Sequence, residues 1–192
     1  MTTSTKYIST PSQTVGPYLH IGLDWLNTSN LVQADTEGQH LVLQGRLIDA
    51  DGQPIPDGMI EIWQANTHGK YAHPDDHASQ PLTKNFMGFG RMPTDEQGSF
   101  RFSTIKPGRV LHRDGSLQAP HIMVHIFARG LVKQLVTRVY FPDDDHADDL
   151  VMNLVPVDRR HTLVASAHAD QSNVLDWNIV LGGENETVFF TI

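Results

Sequence analysis

Asp95-Glu96-Gln97-Gly98-Ser99-Phe100-Arg101-Phe102-Ser103-Thr104-Ile105 is the stretch that decides the fold class. Its first four residues form a turn signal closed by glycine. From Ser99 onward polar and apolar residues alternate, so Phe100 and Phe102 share one face while Ser99, Arg101 and Ser103 share the other. A turn followed by a period of two is the mark of a half-buried strand. The same pattern recurs on both sides. Residues 41–48 are strand-like and run into the turn Asp49-Ala50-Asp51-Gly52, and residues 59–64 alternate and are rich in β-formers. Residues 121–128, 134–141, 174–181 and 187–191 complete a set of about seven strands. One helix is expected near residues 157–167, with Pro156 at its first turn.

Many short strands with glycine and proline turns and little helix predict an all-β fold, a β-sandwich with long connecting loops, an extended N-terminal arm and one short helix. At 192 residues the chain is expected to be a single sandwich domain spanning 1–192, with residues 1–40 as arm and loop and 41–192 as the sandwich. Pro11 and Pro17 bracket Ser12-Gln13-Thr14-Val15-Gly16, which precludes a helix there and predicts an extended arm with a fixed turn. The connections over 66–98 and 106–120 are long for a sandwich, and long loops on a rigid scaffold are where binding residues sit.

Composition narrows the function classes. The chain has no cysteine, so disulfides, thiolate metal sites and cysteine nucleophiles are excluded. Fourteen Lys+Arg against 22 Asp+Glu give a net charge of −8, which argues against nucleic acid and anionic membrane surfaces as partners. No apolar run approaches the ~20 residues of a membrane span. The opening Met1-Thr2-Thr3-Ser4-Thr5-Lys6-Tyr7-Ile8 has no apolar core of signal-peptide type, and a cytoplasmic location is expected.

Eleven histidines invite a metal hypothesis, and their spacing argues against it. His121 and His125 sit in a strand-like stretch after Pro120, on one face but about 13 Å apart at ~3.3 Å per residue. They cannot converge on one ion. A second strand ligand beside His121 belongs at position 123, which holds methionine. The acidic run 143–149 lacks the glycine and distal glutamate of a calcium loop and reads as a solvated acidic loop. No Gly-x-Ser-x-Gly motif and no phosphate loop occurs. Arg129 ends an apolar strand and is followed by Gly130. Partly desolvated, its guanidinium could grip a carboxylate in bidentate fashion, and an ordinary structural ion pair is the competing reading.

Six ordered motifs carry a resemblance. They are Thr10-Pro11-Ser12-Gln13-Thr14-Val15-Gly16-Pro17-Tyr18, Ile62-Trp63-Gln64-Ala65-Asn66 with Gly69-Lys70-Tyr71, Phe89-Gly90-Arg91, Lys106-Pro107-Gly108, Pro120-His121-Ile122 and Phe127-Ala128-Arg129-Gly130. Together with the terminal Gly183-Glu184-Asn185-Glu186-Thr187-Val188-Phe189-Phe190, they resemble the intradiol ring-cleavage dioxygenases over nearly the whole chain from Thr10.

That resemblance implies a mononuclear non-haem Fe(III) held by two tyrosines and two histidines, which activates a bound catecholate. The four ligand positions correspond here to Tyr71, Val110, His121 and Met123, so two of the four ligands are replaced. The arginine that assists catalysis in the family falls at Gln118. The resemblance therefore implies that this chain holds no metal and has no catalytic residue of its own. The Fe(III) would be bound by a partner, the iron-carrying beta subunit of two-subunit members. This chain would lend Thr14, Gly16, Pro17 and Arg129 to a substrate pocket at the interface. The implied reaction, part of aromatic catabolism by the β-ketoadipate route, cleaves 3,4-dihydroxybenzoate with O2. Three readings stay open at this point: such a non-iron subunit, a self-sufficient catechol-type dioxygenase with unusual ligands, and a non-catalytic β-sandwich binding or assembly module.

Overall fold

A computed structural model describes residues 22–112 and 114–191. In chain order the strands are β1 (His40–Ile48), β2 (Met59–Trp63), β3 (Phe89–Pro93), β4 (Ser99–Ile105), β5 (Val110–Leu111), β6 (Leu117–Gln118), β7 (His121–Phe127), β8 (Leu135–Tyr140), β9 (Ser166–Ala167), β10 (Val174–Asp176) and β11 (Ile179–Val180). A four-residue helix, α1 (Leu150–Asn153), precedes a 3-10 helix at Val157–Leu163. Among the described residues no helix is long and apolar enough to cross a membrane.

Two sheets face one another. In the first, β1 pairs antiparallel with β4, from His40 opposite Ile105 to Arg46 opposite Ser99, and parallel with β10 and β11 on its other edge. In the second the order is β3-β2-β7-β8, all antiparallel. The period of two then sorts the side chains. Leu41, Leu43, Leu47, Phe100 and Phe102 of the first sheet meet Ile60, Ile62, Ile122, Val124, Ile126 and Val139 of the second in one buried cluster. Gln64, 1% exposed, ties the sheets beside this core: it accepts from the Thr104 hydroxyl at 2.7 Å and donates to the Ile105 carbonyl at 2.9 Å.

The structure modifies three sequence expectations. Residues 174–181 do not form one strand, because Trp177 breaks it. Its carbonyl oxygen approaches the backbone of Gly45 so closely that a Cβ there would lie 1.7 Å away, and its N–H donates to the Gln44 carbonyl at 2.8 Å. Residues 187–191 form no ladder, because Thr187 bonds to Val180 of the first sheet and Phe190 to Val136 of the second. A segment shared between two sheets cannot ladder with either. The helix expected over 157–167 is a 3-10 helix ending at Leu163, and Ser166–Ala167 belongs to β9.

Candidate functional site

Residues on the opposite face of the second sheet point away from the main core. The register places His121 opposite Tyr140, Met123 opposite both Arg138 and Trp63, and His125 opposite both Val136 and Glu61, so all of these share that outer face. Loops cover it rather than solvent, and between sheet and loops lies a cavity of about 940 Å³ whose walls include Trp63, Tyr71, Phe89, Val110, Gln118 and His125.

The loops are held by backbone approach more than by side-chain packing. The Asn66 side chain accepts from the N–H groups of His68 (2.9 Å) and Lys70 (3.0 Å) and donates to the Pro81 carbonyl (2.8 Å). Gly69 sits at φ 77° with the Arg109 carbonyl oxygen 2.0 Å from where a Cβ would be. Gly108 presses on the Thr67 carbonyl in the same way, at 2.4 Å, and its N–H donates to the Asn66 carbonyl at 2.8 Å. No L side chain fits either contact. The two loops are thereby locked together, which brings Tyr71 and Val110 to one cavity. Buried Lys70 donates to the Asp76 and Ala78 carbonyls at 2.5 and 2.6 Å, and the Asp76 carboxylate accepts from the Tyr71 N–H at 2.7 Å. Tyr71 stacks on Trp63 with ring centres 5.8 Å apart and planes at 11°. Burial pushes its phenol above the ordinary value, a shift that the Arg138 charge opposes and Asp76 reinforces.

Behind the cavity lies a buried polar cluster. His121 is 2% exposed and its Nδ1–H donates to the Ala119 carbonyl at 2.8 Å. Burial, followed by the nearby Arg138 charge, pushes its pKa down to about 4, so the ring is neutral at pH 7 with Nε2 unprotonated. Asp149, 1% exposed, accepts from the N–H groups of Ala119 (2.8 Å), Val151 (3.0 Å) and Met152 (2.8 Å), and from the Tyr140 hydroxyl (3.1 Å). Burial alone would raise its pKa, and these donors more than offset that, holding the carboxyl below its usual range. The acidic run is thus not wholly a solvated loop. Asp149 caps α1 from inside the protein, and Asp143 and Asp144 pair with Lys106 at 3.0 and 2.9 Å.

Of the positions expected to match the family's ligands, Tyr71 and Val110 line the cavity, and Met123 lies across the sheet from Arg138. Its guanidinium donates through Nε to the Met123 sulfur at 3.2 Å and through Nη1 to Gln118 Oε1 at 2.9 Å. Val110 has no donor atom, and the Met123 thioether is a soft ligand. A fixed cation beside them completes a set that does not fit Fe(III), and among the described residues no three His, Asp or Glu side chains converge as metal ligands. Arg129 lies elsewhere. It lies in the turn that follows β7, two residues past Phe127. It is not desolvated as expected: its side chain is 69% exposed and pairs with Asp57. Thr14, Gly16 and Pro17 lie outside the described residues. Sequence reasoning passed over Arg138 and Asp149. Only strand register reveals the first, since it places Arg138 across from Met123.

The dioxygenase family profile matches residues 16–183. The protocatechuate 3,4-dioxygenase alpha chain of Pseudomonas putida is 37% identical over 94% of this chain and 95% of its own length, and that of Burkholderia cepacia is 38% identical over 95% and 97%. The Burkholderia cepacia beta chain is 34% identical over 86% of this chain and 74% of its own length. The solved structure of an intradiol ring-cleavage dioxygenase from Tetranychus urticae, 22% identical, superposes with a TM-score of 0.63 over 91% of this chain and 96% of that one, and speaks for the fold alone. A profile match over most of the chain, joined to relatives aligned from end to end, means that this chain belongs to the intradiol ring-cleavage dioxygenase family.

Proposed function

We propose that this chain is the non-iron alpha subunit of a protocatechuate 3,4-dioxygenase. A beta subunit would carry the Fe(III), bind the catecholate and activate it. The reaction breaks the bond between the two hydroxyl-bearing carbons of 3,4-dihydroxybenzoate, and both atoms of O2 enter the product, 3-carboxy-cis,cis-muconate. The observation that carries this reading is a near full-length match to two alpha chains; Val110 and Met123, where the resemblance expects two of the four ligands, support it.

In this reading the single sandwich domain contributes Thr14, Gly16, Pro17 and Arg129 to the pocket at the subunit interface. The exposure of Arg129 at the far end of β7, away from the chain's own cavity, supports a role toward a neighbouring subunit. Exposed apolar side chains give such a partner something to cover: Met87 is 66% exposed, Leu111 54%, and Leu154 and Val157 79% and 78%.

The test is reconstitution. The chain is purified alone and with a beta subunit, and the visible spectrum and oxygen uptake are recorded with 3,4-dihydroxybenzoate. The ferric–tyrosinate colour and oxygen uptake should belong to the mixture only. Oxygen consumption by this chain alone would overturn the reading.

A further inference from the structure

We propose that the Arg138 guanidinium takes the place of the metal in this chain's own site and keeps a metal out of it. The inference does not depend on a beta partner. It rests on geometry within one chain. Arg138 lies on β8 directly opposite Met123 on β7, and His121 is opposite Tyr140 one step along the same face. From there the guanidinium reaches two neutral acceptors, the Met123 sulfur at 3.2 Å and Gln118 Oε1 at 2.9 Å. Met123 stands at a ligand position and Gln118 is a wall of the cavity.

Three physical consequences follow. The arginine guanidinium is a permanent cation. A metal ion within a few ångströms of it would meet like-charge repulsion in a poorly solvated site. The planar fork also occupies volume and already uses Gln118 and Met123, so a metal would have to displace side chains as well as charge. Losing the ligands at 110 and 123 is thus only part of why iron does not fit. Replacing those ligands should not be enough to restore it.

The experiment compares three full-length variants with the unsubstituted chain, each prepared in the same association state. Iron is counted as the increment over the unsubstituted protein, and the ferric–phenolate band in the visible spectrum is the second readout. Val110→Tyr/Met123→His restores the donor set but retains the arginine, and it should gain no iron and no band. Val110→Tyr/Met123→His/Arg138→Gln should gain close to one iron per chain, with the band. Val110→Tyr/Met123→His/Arg138→Lys keeps the charge without the fork and should stay largely metal-free. Equal iron in the first two variants, whether both high or both absent, would overturn the proposal. Melting curves confirm that each variant is folded. Should the triple Gln variant fail to fold, Met123→His against Met123→His/Arg138→Gln makes the same comparison with three donors: iron only in the second supports the proposal, and no difference overturns it.

Discussion

At its first residue β7 places His121 in a site sealed from water, 2% exposed, with the Tyr140 ring centre 5.9 Å from its own. Eight residues later the same run leaves Arg129 at the surface, 69% exposed, with Asp57 as its ion-pair partner. In the sealed end every polar atom must find a partner inside the protein, so each substitution there is a question of stability. At the open end water can replace any lost partner, so a substitution shows itself only through another molecule. In the proposed subunit the first region serves the fold, and the second faces a substrate or a partner.

The sharpest way to break this contrast is at Asp149. Asp149→Ala removes the acceptor of three backbone N–H groups and of the Tyr140 hydroxyl. It should cost about 3–5 kcal/mol of stability in urea unfolding. A loss below about 1 kcal/mol would mean that the cluster is not the closed network described.

Acid should open the sealed end next. Unfolded, the His121 imidazole titrates near 6.5, whereas in the fold it refuses a proton down to about 4. The stability that neutral His121 contributes is complete above pH 6.5 and is lost as the pH falls toward 4. It amounts to something on the order of 3 kcal/mol at ~1.4 kcal/mol per pH unit. Asp149, whose carboxyl is held low, adds its loss at still lower pH. Unfolding free energies measured between pH 4 and 7 should slope upward, and His121→Gln should flatten that slope. An unchanged slope would remove His121 as its source.

The open end makes the opposite forecast. In the assembled enzyme Arg129→Leu should reduce kcat/KM for 3,4-dihydroxybenzoate by about 2–3 kcal/mol, the value of one charge-assisted contact, and leave a catechol lacking the carboxylate almost untouched. The melting curve should not move. Equal losses on both substrates would take Arg129 out of substrate selection. The smallest effect belongs to its partner: Asp57→Asn should change stability by less than about 1 kcal/mol, as exposed pairs do. A larger drop in the melt would make the Asp57–Arg129 pair a structural tie.

Strands whose alternation is undisturbed were legible in the residues, and β1, β2, β4, β7 and β8 fall within a residue or two of expectation. β3 was hidden because Phe89-Gly90-Arg91-Met92-Pro93 contains both residues that normally interrupt strands. Its Gly90 is needed where Leu31 and the Thr28 carbonyl crowd the backbone. The β5–β6 hairpin is two residues a side, too short for any period to show. Arg138 was hidden differently. A charged residue in a strand reads as solvent-facing, and only the cover that loops give the outer face of the second sheet turns it inward. Asp149 sits at the end of an acidic run in which Asp143, Asp145 and Asp148 are exposed, and nothing local marks it as the buried one.

The lock between Gly69 and Gly108 has a consequence for how such a chain changes over generations. The cavity keeps its shape through two glycines, an asparagine and backbone carbonyls, none of which stands at a metal-ligand position. Side chains on the walls, Val110 among them, can therefore be exchanged without loosening the loops that present them. Shape and chemistry are inherited separately here. A duplicated copy can drift to a new task in its binding groups while its architecture stays under the original constraint.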